Sequence, residues 1–399
     1  MSRRNKIIIA VIVGLLLIAL GVFLYFLWSK PAVLPPDDGS FPPPSDEIVP
    51  TEEPPTVLPE GKPGAFEPIL RQLSKIPIAG AMLGSKGGET IVRYQERSAG
   101  NIYEIGAAGE GEKRLTNTTI PKVYEALWSK SGSALISRYV RDGSETIESF
   151  SSRINQGTTG AEGELQGAFL QREILEGAIS PEGTSFFYLL EENGGVTGIR
   201  SDLSGSGKTK LWASPLREWL VSWPSANKIM LLSKPSVLAS GMLISLDPIK
   251  GGSTLILRDI PGLTALANPV HSEILYSASS EKDFSLYLFD MIKGKHREVS
   301  VTTLPEKCVW NKNGDKFYCG VPKTIPVGSY PDVWYQGVNS FEDAVWSSTP
   351  SGTLDRILDI SDKRGAPIDL VNPILSSDEK FLIFTDKVSS TLWSLQMTE

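Results

Sequence analysis

From Gly205 the chain reads Gly-Ser-Gly-Lys-Thr, the residue types of a phosphate-binding loop. Such a loop surrounds phosphates with backbone N–H groups of a glycine turn, sets a lysine on the β- and γ-phosphates, and opens a helix at its end. Two requirements fail. The pattern needs glycine at 202, where Asp202 stands, and a helix after Thr209, where Trp212 and Pro215 soon interrupt. The run "SLYLFD", ending at Asp290, imitates the acidic strand that accompanies such loops, but it has an equally simple place as one strand of a repeat. Neither a nucleotide nor any other cofactor is expected.

Other chemistry is sparse. His271 and His296 are the only histidines; both sit in polar, turn-like stretches without metal-ligand spacing around them, so no metal site is expected. No Gly-x-Ser-x-Gly nucleophile elbow occurs, and no catalytic residue can be named. Asp202, Asp247 and Asp290 recur near the ends of β-type runs, a placement that suits turn capping better than a carboxylate pair for glycoside hydrolysis. Two cysteines, Cys308 and Cys319, flank "VWNKNGDKFY". A two-residue type I′ turn at Asn313-Gly314 would place them opposite each other, at a separation compatible with a bridge, with free thiols as the alternative.

The elements that must position these residues are short strands. From about residue 66, β-type runs alternate with Gly, Ser, Asn, Asp and Pro turns, and no stretch keeps a helical period. One phrase recurs: an apolar or Trp residue, a small polar turn, then a β-rich run. It appears as "LGSKGGETIVRY" from Leu83, "WSKSGSALISRY" from Trp128, "ISPEGTSFFYLL" from Ile179, "WPSANKIMLLS" from Trp223, "ANPVHSEILYSA" from Ala267, "WNKNGDKFYCGV" from Trp310 and "LSSDEKFLIFTD" from Leu375. Most of these anchors are about 40–50 residues apart, room for four strands each, which predicts an all-β, seven-bladed β-propeller over residues 66–399. The last unit lacks a fourth strand, and an orphan "ILRQLSKIP" at Ile69–Pro77 can supply it, closing the ring.

The units resemble the TolB-type, WD-like β-propeller repeat. "ISPEGTSFFYLL" and "WNKNGDKFYCGV" match its Trp-Ser-Pro-Asp-Gly-Lys turn and following strand, and "NIYEIG" with "EKRLTN" matches the remainder. The resemblance implies a fold and not an activity. Unit six departs from it by an insertion at 323–342, between its second and third strands, that gathers Tyr330, Trp334, Tyr335 and Phe341. These rings either cover a neighbouring blade and plug the channel, or form a contact surface for a glycan or protein partner. As binding candidates they are the residues this sequence offers.

The first 65 residues set the location. Residues 7–28, "IIIAVIVGLLLIALGVFLYFLW", carry no charge and are long enough as a helix to cross a bilayer, which predicts one transmembrane signal anchor. Arg3, Arg4 and Lys6 hold the preceding residues 1–6 in the cytoplasm and send the rest across. Residues 29–65 then form a Pro-rich acidic stalk, with 11 of the chain's 28 prolines between residues 31 and 65. Net charge is −7 and no basic patch supports nucleic-acid binding. The expected function is a non-catalytic binding or scaffold module of the cell envelope, the alternative a propeller hydrolase acting on envelope glycans or peptides.

Overall fold

The computed structural model describes residues 66–144, 146–155, 162–280 and 283–398. The expected cytoplasmic segment 1–6, membrane span 7–28 and stalk 29–65 lie outside the described residues, among which no helix is long and apolar enough to cross a membrane.

Among the described residues the chain forms seven four-stranded antiparallel sheets. Blades one to six follow in order as residues 78–114, 123–169, 174–214, 219–261, 264–298 and 308–359. Blade seven combines Leu370–Leu375, Phe381–Asp386 and Leu392–Gln396 with Ile69–Gln72, which pairs antiparallel with Leu392–Gln396 as the outermost strand. The N-terminal strand therefore closes the ring, as expected, and removes the edge an open ring would leave.

The turn chemistry of the repeat phrase becomes visible in the hairpins between first and second strands. In four blades a hydroxyl or amide at the same point accepts the backbone N–H five residues on: Ser129 from Ala134 at 3.1 Å, Ser180 from Ser185 at 3.2 Å, Asn311 from Lys316 at 3.2 Å and Ser376 from Phe381 at 2.9 Å. One correction follows. The hairpin of blade six is not a two-residue type I′ turn at Asn313-Gly314: the Gly314 N–H donates to Asn311 O, and only Gly314 of the pair has a positive φ, +72°. The register is nonetheless the one drawn from that turn, with Cys308 opposite Cys319, and a disulfide joins the two.

The core lies between neighbouring blades rather than in one centre. Along "SFFYLL" of blade three, Phe186, Tyr188 and Leu190 pack toward blade two while Phe187 and Leu189 pack toward blade four. Successive side chains of a strand point to opposite faces, so a strand buried on both faces reads as an unbroken apolar run. First strands approach one another closely at the axis: a Cβ on Gly80 would sit 2.4 Å from Ala126 O, so glycine is required there.

Candidate ligand site in the central channel

The residues singled out for chemistry fall into turns. "SGSGKT" joins Gly195–Asp202 to the strand Thr209–Ser214, so a strand stands where a phosphate loop needs a helix. Asp202 Oδ1 accepts the Ser204 hydroxyl at 2.6 Å and the Ser206 N–H at 2.9 Å. Asp247 Oδ1 accepts the N–H groups of Ile249 and Lys250, both at 2.8 Å, and Asp290 Oδ1 those of Ile292 and Lys293, both at 3.0 Å. These bonds favour the ionised forms, and all three carboxyls lie below the usual carboxylate range. His271 and His296 are exposed, His296 stacking on Phe289.

The insertion of blade six folds inward. Tyr330, Trp334 and Phe341 are buried and form a cluster with Phe284 of blade five, Leu304 and Val371 of blade seven. Buried rings cannot meet a partner, so of the four expected contact residues only Tyr335, 39% exposed, reaches solvent. Its hydroxyl donates to Glu306, whose carboxyl burial pushes up. Beneath the rings lies an ion network without solvent access: Lys307 Nζ meets Asp369 Oδ1 at 2.5 Å, Asp343 Oδ2 at 2.7 Å and Leu370 O at 2.9 Å. Trp334 Nε1 donates to Asp369 Oδ2 at 2.8 Å, tying the insertion to this triad. Two carboxyls share one ammonium, and burial with the neighbouring Asp369 charge raises Asp343 to about 6 despite Lys307.

Trp334→Ala should therefore lower stability by about 3–5 kcal/mol, the cost of truncating a buried aromatic, whereas Tyr335→Ala should cost about 1 kcal/mol. Thermal melts of the two variants check this, and equal shifts would show that the insertion is not core.

The site that can hold a ligand is a cavity of about 760 Å³ lined by the first strands of blades seven, one, two and three. All four strands lose register with their neighbour there, at Val371/Ile374, Ile78/Gly80, Val123/Glu125 and Ile174/Glu176. A bulge bends its strand and re-aims a side chain, and four in adjacent blades open the axis where Ala79, Tyr124, Leu175 and Asn372 line the void.

Two glutamates enter the cavity from equivalent points of adjacent units, Glu125 in "VYEALW" and Glu176 in "ILEGAI". Arg138, cross-strand partner of Glu125 and only 2% exposed, bonds Glu125 Oε2 at 2.5 Å and lies 4.0 Å from Glu176 Oε2. It also donates to Ile174 O and Leu175 O, at 2.9 and 2.7 Å. Burial and the charge of Glu125 raise Glu176 to about 7, against the pull of Arg138. The Tyr124 hydroxyl is buried here without a partner among the described residues. On the blade-seven and blade-one side stand Lys387, its Nζ 5.0 Å from the centre of the Trp334 ring, and Arg97, whose Nε holds Ile78 O at 3.0 Å.

Sequence reasoning missed Glu125, Glu176, Arg138, Lys387 and Arg97. One signal was present: a glutamate at the third position of two consecutive first strands that are otherwise apolar or small.

No protein-family model matches the chain, and no curated protein matches it. Solved structures do. An oligogalacturonate lyase in complex with manganese superposes at TM-score 0.51 with 12% identity, over 84% of this chain and 98% of that one. The β-propeller domain of the Trilobed protease from Pyrococcus furiosus gives TM-score 0.50 with 10% identity, over 80% and 98%. TolB from Acinetobacter baumannii gives 0.42 with 10% identity, over 79% of this chain and 66% of that one. At their identities the first two likenesses establish the propeller fold expected from the repeats and leave ligand and reaction open.

Proposed function

We propose that this protein is a non-catalytic binding module of the cell envelope, anchored by residues 7–28 with the propeller outside the membrane, and that it takes its ligand in the channel cavity. The observation that carries this reading is a void of ligand size, about 760 Å³, whose lining residues include charged groups and Tyr124 with its unsatisfied hydroxyl. The exposed edge of Tyr335 remains as an outer contact for a protein or glycan partner.

One observation favours the hydrolase alternative. Glu125 is bonded to Arg138, while burial and the Glu125 charge raise Glu176 to about 7, so two carboxyls in different settings stand on one guanidinium. The two readings separate in one experiment on the full chain in detergent, incubated with envelope glycan and peptide fractions. A binding module should retain a component unchanged and lose it on Lys387→Met. A hydrolase should release shortened products, and Glu176→Gln should stop that release while retention persists. Retention unaffected by either substitution would refute a cavity site.

A further inference from the structure

We infer that the cavity is built for an acidic carbohydrate: a carboxylate or phosphate group lies between Lys387 and Arg97, and the sugar hydroxyls lie on Tyr124, Glu125 and Glu176. This rests on the cavity being the ligand site.

The charges define the ligand's ends. Although the chain carries −7 overall, the blade-seven and blade-one wall presents two cations that have no carboxylate partner among the described residues. Burial lowers the pKa of Lys387, and the nearby Lys307 charge adds to it against the attraction of Asp369. A partly desolvated, unpaired ammonium gains from an incoming anion, and the guanidinium of Arg97 retains donors that Ile78 O does not use.

On the other wall Arg138 bonds Glu125, stands 4.0 Å from Glu176 and is fixed by two backbone carbonyls, so both carboxyls already face a cation. That wall offers hydrogen-bonding capacity: carboxyl oxygens and the orphaned Tyr124 hydroxyl, which is both donor and acceptor. An acid at one end and hydroxyls at the other describe a sugar acid or sugar phosphate. The volume lies within the range of small-molecule sites.

Calorimetric titration of the full chain in detergent tests this, with methyl glucuronide, glucose 6-phosphate, methyl glucoside and inorganic phosphate as probes. At least one acidic sugar should bind about tenfold more tightly than the neutral glucoside, the advantage shrinking with added salt. The two acidic probes tell a carboxylate source from a phosphate one. Lys387→Met and Arg97→Gln should each remove most of the advantage, and Lys387→Arg should keep it. Equal binding of acidic and neutral sugars, or inorganic phosphate binding as tightly as either acidic sugar, would overturn the inference. So would envelope material whose retention survives both cation substitutions but is lost on Glu176→Gln, an outcome that leaves the cavity reading standing. Retention indifferent to all three would overturn both.

Discussion

Lys307→Met should destabilise the propeller by about 3–5 kcal/mol, because it removes the cation from a closed network and leaves two buried carboxyls without a counter-charge. The ammonium uses its three protons on Asp369, Asp343 and Leu370 O, so its loss unpairs all three acceptors at once. The loss should spread to the insertion, since Asp369 Oδ2 also accepts Trp334 Nε1 and the Phe341 N–H, the latter at 3.1 Å. The deficit should depend on pH with a definite sign. Asp343 already sits near 6, above its unfolded value, and losing Lys307 removes the charge that holds it down. Folded Asp343 then keeps its proton to higher pH than the unfolded chain does, so the variant's stability rises as pH falls through the folded value and is lowest above it. Asp343→Asn should cost much less, because it replaces the acid already nearest neutrality. Denaturant melts at pH 5 and pH 8 read all of this. A Lys307→Met protein within about 1 kcal/mol of wild type at pH 8 would mean that the triad does not hold the insertion.

The second large effect concerns ring closure. A chain lacking residues 66–78 loses the outer strand Ile69–Gln72, the buried Leu73 between blades seven and one, and the buried Ile78 that begins blade one. It also loses a fastening at the seam. The N–H groups of Leu73 and Ser74 donate to Leu392 O at 2.8 and 3.2 Å, and the Leu392 N–H donates to Ser74 Oγ at 2.8 Å. Truncating one such leucine costs about 2–5 kcal/mol, and the exposed edge of Leu392–Gln396 becomes a template for pairing with another chain. The melting transition should fall and broaden, with aggregation on heating. Removing residues 31–60, which include no part of the described ring, should leave it unchanged. A protein beginning at Ala79 that melts cooperatively at the original temperature would refute closure by this strand.

The sequence alone determined the blade type, the blade number and the closing strand, because each rests on local chemistry repeated at a fixed period. Turn residues such as Ser180 and Asn311 cap hairpins within five residues of themselves, and runs such as "SFFYLL" state their own two-sided burial. The same locality explains why Asp202, Asp247 and Asp290 could be assigned to turns. What only the tertiary structure decided involves groups that no local pattern joins. Lys307 and Asp369 are 62 residues apart in the chain, and their meeting beneath Trp334 turns an aromatic segment that reads as a contact surface into core. Glu125 and Glu176 belong to different blades and share Arg138 only because two inner strands bulge side by side. Burial and desolvation are properties of the packed ring, so the pKa of Glu176, the isolation of Lys387 and the volume of the cavity exist only once seven separately legible sheets have closed around one axis.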